Sequence, residues 1–178
     1  MSMAQNVITD FIEKKLAQPI EEQTHEHLGG KDLAKGIVAG LVAGLAATAA
    51  KTLAERLYPP RTHGEPEPPE VLAEKIAGHQ LAETQKMIAS ETIHWAFGAA
   101  TGAAYGALTE FYPAAAAREG ANFGITLMAL THEGVLPAMG LAAEPANQTT
   151  REKSSEMVTH VIFGIVAEAV RRYVRKRL

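Results

Sequence analysis

Four apolar segments that are nearly free of charged residues constrain the fold of this 178-residue chain more than any other feature. They span about residues 36–57, 93–112, 120–143 and 156–173, and most of the charge lies between and beyond them. The uninterrupted apolar cores of three segments are only about 14 to 15 residues long. A membrane span usually needs roughly 20 such residues, and shorter runs often belong to the cores of soluble proteins.

The spacing of glycine favours membrane helices over buried soluble ones. Each of the first two segments contains a GxxxGxxxG pattern. Repeated glycine costs a helix in water roughly 1 kcal/mol per position relative to alanine, whereas in a bilayer small residues let helices pack closely. We therefore predict an all-α fold, a four-helix transmembrane bundle. The predicted helix-packing residues are Gly36, Gly40, Gly44, Gly98, Gly102 and Gly106.

A short repeat indicates that the bundle consists of two similar helical hairpins. Residues 94–98 and 160–164 both read His-x-x-Phe-Gly, and an acidic residue precedes each histidine by about one helical turn. The repeat pairs the second segment with the fourth. The first segment then pairs with the third, although their glycine patterns match less well.

Two amphipathic helices are predicted outside the spans. Residues 5–17 place apolar side chains at helical spacing and form, with a polar linker, an N-terminal region of residues 1–35. Residues 70–89 form the second, in the first outer loop of a membrane domain that covers residues 36–178. The basic residues after the fourth span favour a cytoplasmic C-terminus, and an even number of spans then makes the N-terminus cytoplasmic as well.

Composition excludes several classes of function. The chain has no cysteine, so disulfides, thiolate metal sites and cysteine nucleophiles are excluded. Its net charge of −3 does not suit a nucleic-acid-binding protein. Phosphate-binding loops and hydrolase motifs are missing from the sequence, so we expect a non-enzymatic protein.

Ionisable residues of the four segments are predicted to meet at one depth, in the outer half of the bundle. The three segment histidines continue glycine stripes and should therefore face the bundle interior. Intramembrane ionisable residues are costly and usually face a partner or a water-filled cavity. The candidate metal ligands are His94, His132, His160, Glu91, Glu133 and Glu156. The candidate proton or charge network comprises Lys51, Glu55, Glu110 and Glu168.

Four interpretations of this cluster stay open. Imidazole and carboxylate ligands suit a divalent zinc, iron or manganese ion, although only Glu91 and His94 have the Glu-x-x-His spacing of di-iron bundles. A proton-linked or solvated polar cavity would use the same residues. A structural hydrogen-bond network between helices is the simplest interpretation. Haem held by two histidines is the least favoured, since the pattern is not specific for it.

The order and spacing of several motifs resemble the YagU-like inner-membrane proteins, a bacterial family of unknown function. The matching features are Gly40, Lys51, Glu55, Pro59-Pro60-Arg61, His94, Phe97, Tyr105, Glu110-Phe111-Tyr112-Pro113, His132, Leu136-Pro137, Met139-Gly140-Leu141, Glu156, His160 and Arg171-Arg172. The resemblance covers roughly residues 36–178, in a chain richer in alanine and glycine than the family pattern. It implies a polytopic protein of the bacterial inner (cytoplasmic) membrane and supplies no activity.

These observations predict a small membrane protein whose His/Glu cluster binds a metal ion or supports proton-linked transport or sensing. The alternative is an accessory or structural subunit of a larger membrane complex, in which glycine stripes would face partner helices. The expected partners are the lipid bilayer and either further copies of the chain or other subunits, and not nucleic acid. A homo-oligomer is favoured because four short helices leave a small core and surplus glycine faces.

Overall fold

A computed structural model of the chain describes residues 30–61 and 64–178. All regular secondary structure in this part of the chain is helical, which confirms the all-α prediction there. The helix predicted for residues 5–17 lies outside the described residues.

Six α-helices follow one another within a single compact unit, Leu33–Leu178. Their bounds are α1, Leu33–Leu57; α2, Pro68–Ala77; α3, Glu83–Phe111; α4, Ala121–Leu130; α5, Leu136–Ala138; and α6, Thr150–Arg175. A 3₁₀ segment, Pro113–Gly120, joins α3 to α4, and a π-helical turn, Thr131–Val135, joins α4 to α5.

Glycines bring α1 and α3 into direct backbone contact. A Cβ atom added to Gly40 would overlap with the carbonyl oxygen of Gly102, and one added to Gly44 would overlap with that of Gly98. At the end of the stripe, a Cβ on Gly36 would lie 2.9 Å from the Gly106 oxygen. The two stripes therefore lie face to face, at a separation that no larger residue permits.

The second hairpin, α4 with α6, is also held by close backbone contacts at glycines. A Cβ on Gly124 would overlap with the backbone carbonyl of His160, and one on Gly164 with that of Gly120. The chain enters α4 through three consecutive residues with positive φ, at Arg118, Glu119 and Gly120. Only glycine adopts this conformation without steric cost, so the reversal at 118–120 is a strained turn held by its surroundings.

Two element boundaries differ from prediction. The single amphipathic helix expected over residues 70–89 is wrong, because α2 ends at Gly78, whose φ of 72° terminates the helix and whose N–H bonds the Glu74 carbonyl at 2.9 Å. The chain then begins α3 at Glu83, ten residues before the predicted span. The third segment is not one α-helix either, since the π-helical turn and Pro137 interrupt it.

Burial on α1 is inverted relative to a helix of a soluble protein. Small residues such as Ala39, Ala43 and Ala47 are fully buried, whereas large apolar residues on the same helix are exposed. Those of α1 are Leu33, Ile37, Val38, Leu41, Val42, Leu45, Leu53 and Leu57. Among the described helices, α1 alone has both the length and the hydropathy of a membrane span.

Candidate metal centre

Glu156 is the centre of a buried polar cluster on α6. Thr149 starts this helix by accepting a hydrogen bond from the Glu152 N–H at 3.0 Å, as a helix N-cap does. One turn later the Glu156 side chain is only 3% exposed. Its Oε2 atom is fully buried and makes no hydrogen bond to a described residue. A buried carboxylate oxygen in this state is costly unless a cation lies beside it.

His160 shares the inner face of α6 with Glu156, four residues later. Its Nδ1 lies 2.8 Å from the Glu156 backbone carbonyl and 3.6 Å from Glu156 Oε2. Because a carbonyl oxygen can only accept, Nδ1 carries the proton in this hydrogen bond. The Nε2 atom of the neutral ring then keeps its lone pair and is available to a metal ion.

His132 reaches the cluster from the π-helical turn. In a π-helix each N–H bonds the carbonyl five residues earlier, and here the Leu136 N–H bonds the Thr131 carbonyl. By the same spacing, the N–H of residue 137 would bond the His132 carbonyl. That residue is Pro137, which has no N–H. The side-chain amide of Gln148 donates to the His132 carbonyl instead, at 2.9 Å. A proline and a glutamine thus hold the wide turn from which His132 projects.

The three side chains form a compact set of candidate ligands. His132 Nε2 lies 3.3 Å from Glu156 Oε2, and the two imidazole rings meet edge to face with centroids 5.0 Å apart. One ligand atom from each of His132, Glu156 and His160 falls within 4.8 Å of the others. Two imidazoles and one carboxylate are the ligand set of several zinc sites that keep an open coordination position.

Two cationic side chains already face Glu156. Lys51 Nζ, on α1, lies 3.6 Å from Glu156 Oε2 and also pairs with Glu55. Arg61 reaches Glu156 Oε1 at 3.4 Å and Glu152 at 3.1 Å. Sequence reasoning singled out Lys51 and missed Arg61 as a member of the cluster. The available signal was its position directly after Pro59-Pro60, which end the first apolar segment.

The other candidate ligands lie apart from this set. His94 lines the same cavity, and its Nε2 lies 3.3 Å from the Thr52 hydroxyl. Glu91 is exposed and accepts a hydrogen bond from the Trp95 indole at 3.0 Å. Glu133 is exposed on the outer side of the π-helical turn. The structure therefore brings together His132, Glu156 and His160 and leaves Glu91 and Glu133 at the surface.

A cavity of about 170 Å³ adjoins the cluster. Its polar residues include Lys51, Glu55, Arg61 and Glu67 beside the three candidate ligands. Glu67 lies on the loop before α2, where partial desolvation and, second, the neighbouring Glu55 carboxylate raise its pKa. The cavity gives the cluster room for a metal ion and for an additional small ligand.

The remaining network residues, Glu110 and Glu168, lie at the opposite end of the bundle. Glu168 is 1% exposed and accepts hydrogen bonds from the Tyr105 hydroxyl and from Arg171, each at 2.8 Å. Glu110 pairs with Arg175 at 3.0 Å. The four residues predicted as one network therefore form two separate clusters, with Lys51 and Glu55 at one end and Glu110 and Glu168 at the other.

The fold and the cluster define an all-helical protein whose glycine-packed helices enclose buried histidine and glutamate side chains. The profile of a family described as "Protein of unknown function (DUF1440)" matches residues 45–169, and the chain belongs to this family. No curated protein and no solved structure matches the chain.

Proposed function

We propose that this chain is a four-span membrane protein, and that its buried cluster binds one divalent metal ion for transport or sensing rather than for catalysis. The inverted burial supports the membrane location. Exposed apolar surface costs roughly 25 cal/mol per Å² in water, so the aliphatic face of α1 would be strongly unfavourable there. In a bilayer that face meets lipid, and small residues inside allow close helix packing.

The observation that carries metal binding is the orphaned Oε2 of Glu156 beside two histidine rings. A divalent ion would satisfy this oxygen and use the free lone pairs of the imidazoles. Zinc, iron and manganese all accept such a mixed nitrogen and oxygen set. Because only three side chains converge, the ion would keep at least one position for water or a ligand from the cavity.

The nearby cations set the strength of binding. Lys51 and Arg61 already neutralise part of the Glu156 charge, so an incoming ion must displace them or bind against their field. If displaced from Glu156, Lys51 can still pair with Glu55, and Arg61 can still pair with Glu152. The site is therefore suited to reversible binding, as transport or sensing requires, more than to permanent structural binding.

Metal analysis of the purified chain tests this proposal. The full-length protein, extracted in mild detergent and stripped with chelator, is titrated with zinc and with manganese by calorimetry. We expect one ion per chain, and loss of binding in His132→Ala and in His160→Ala. His79→Ala is the matched control, since His79 is exposed and bonds only its neighbour's carbonyl. Unaltered binding in both cluster variants would reject the site.

The same preparation separates the two kinds of partner expected from the sequence. A purified oligomer of this chain alone would fit the homo-oligomer. Other subunits that co-purify in fixed proportion would favour the accessory-subunit alternative. Extraction into buffer without detergent would contradict the membrane location altogether.

A further inference from the structure

The order of the helices leaves one side of the bundle open. α1 packs against both α3 and α6, and α6 packs against α4, so the order across the bundle is α3, α1, α6, α4. The two edge helices meet where the Tyr105 and Phe123 rings stack, with centroids 4.0 Å apart. That stack lies on the side of Glu168, because the Tyr105 hydroxyl bonds its carboxylate. Toward the Glu156 end, the cavity separates the two edges.

The mouth of this cavity lies on the side of the bundle. Phe97 on α3 and Val135 on the π-helical turn both line the cavity, yet they are 50% and 52% exposed. Three residues of α2 also line the cavity, namely Pro68, Pro69 and Leu72. An opening between the edge helices, with a cover from α2, faces the bilayer if the chain spans a membrane as proposed above.

The walls of the cavity are divided by polarity. One part is apolar and is formed by Leu72, Ile93, Phe97, Leu127, Val135, Leu136, Leu141 and Phe163. The other part carries the cations of Lys51 and Arg61 together with the carboxylates of Glu55 and Glu67. Such a division fits a ligand with an apolar body and a headgroup that bears both signs of charge.

The headgroup can be specified from these charges. Arg61 pairs with Glu152 and Glu156, and a phosphate would share its guanidinium, a group that recognises phosphate oxygens well. Glu55 and Glu67 both line the cavity, and Glu55 already pairs with Lys51, so this wall attracts ammonium groups. At about 170 Å³ the cavity holds a headgroup and not a whole lipid, so acyl chains must leave through the lateral mouth.

We infer that the cavity binds one aminophospholipid, with its phosphate at Arg61, its ammonium at Glu55 and Glu67, and its acyl chains between α3 and α4. This inference rests on the proposed membrane location and does not depend on a bound metal ion.

Native mass spectrometry of the full chain in detergent tests the inference, with phosphatidylethanolamine and phosphatidylglycerol added in turn. Both lipids carry phosphate, but only the first carries an amine. We expect one retained phosphatidylethanolamine per chain. Val135→Trp should fill the mouth and lower occupancy at least about tenfold, because the added ring competes for the same space. Val158→Trp is the matched control, since Val158 is 48% exposed and does not line the cavity.

A second variant tests the site in case Val135→Trp does not fold. Glu67→Gln keeps the shape of the side chain and removes its charge, so it should lower the preference for the amine-bearing lipid roughly threefold to tenfold, with no loss of phosphatidylglycerol binding. Equal binding of the two lipids, or equal loss in both tryptophan variants, would overturn the inference. Zinc titration of the same samples keeps the two proposals apart: lipid bound without zinc counts against the metal site alone, and zinc bound without lipid against the lipid site alone.

Discussion

At the scale of single residues, the proposed chemistry depends on the groups that share the Glu156 carboxylate. Two histidines, one lysine and one arginine surround its carboxylate, and among the described residues none hydrogen-bonds its Oε2 atom. The carboxylate thus has several charged or imidazole neighbours at distances of 3.3 to 3.6 Å. In the proposed metal site, an incoming ion would compete with Lys51 and Arg61 for this carboxylate.

Removal of Lys51 should strengthen metal binding. In Lys51→Met, the positive charge 3.6 Å from Glu156 Oε2 disappears, so a divalent ion no longer binds against it. We expect zinc affinity to rise about tenfold or more, as measured by competition with a chromogenic chelator. Lys86→Met is the control, because Lys86 pairs with Glu74 and Glu83 outside the cluster. Identical affinities in both variants would show that Lys51 does not compete for Glu156.

At the scale of secondary structure, two devices position the cluster: glycine contacts that bring the helices together and a π-helical turn that aims His132. Neither adds a functional group of its own. Each fixes the distance at which functional groups on separate helices meet.

Gly102→Ala should destabilise the bundle although alanine is the better helix former. The new Cβ would overlap with the Cα of Gly44, and backbone atoms cannot rotate away as a side chain can. The cost of overpacking, about 2–3 kcal/mol, exceeds the propensity gain of about 1 kcal/mol. Thermal unfolding in detergent measures the difference. Gly134→Ala serves as the control, since its Cβ would meet only the Ala129 oxygen at 3.6 Å, and a comparable loss there would refute the packing argument.

The link between Pro137 and Gln148 predicts a non-additive pair of substitutions. Gln148→Ala removes the donor to the His132 carbonyl and should cost about 1 kcal/mol. Pro137→Ala restores a backbone N–H at the position that the π register provides. The double variant should therefore lose less stability than Gln148→Ala alone. A double-mutant cycle of unfolding free energies measures this coupling, and strict additivity would contradict it.

Part of this arrangement could be predicted from the sequence. Helical periodicity places Glu156 and His160 on one face, because residues four apart are neighbours on a helix. The approach of Arg61 could not be predicted, since it depends on the path of a loop after Pro60. The position of His132 depends on a π-helical turn, which has no sequence signal apart from Pro137. The apolar spacing does not reveal the break at Gly78, because it continues on both sides of that residue.

At the scale of the whole molecule, charge is distributed unevenly between the two ends of the bundle. At the end that holds the C-terminus, basic residues outnumber acidic ones: the basic residues include Lys35, Arg118, Arg171, Arg172, Arg175, Lys176 and Arg177, and the acidic ones include Glu110, Glu119 and Glu168. At the Glu156 end, acidic residues outnumber basic ones. Only the dense run of Lys and Arg after Val170 bears on orientation, because acidic residues contribute little to it, and in the proposed membrane location this run favours a cytoplasmic C-terminus.

Single-cysteine labelling can test that orientation without background, since the chain contains no cysteine. An impermeant maleimide added to intact cells should label Glu144→Cys, because position 144 is exposed at the Glu156 end. It should label Arg177→Cys only after the membrane is permeabilised. The reverse pattern would invert the proposed orientation, and labelling of both variants in intact cells would argue against a membrane barrier between the two ends.

The central position of α1 has a consequence for biosynthesis. α1 is made before α3, α4 and α6, and it is also the helix on which both α3 and α6 pack. If these helices cross the bilayer, the first to leave the ribosome must remain there alone until its neighbours are translated. Its hydropathy, which meets the criterion for a span, would let it insert unaided. The later helices would then need less intrinsic tendency to insert, because they can pack on the glycine-lined surface of α1, which is already in the bilayer.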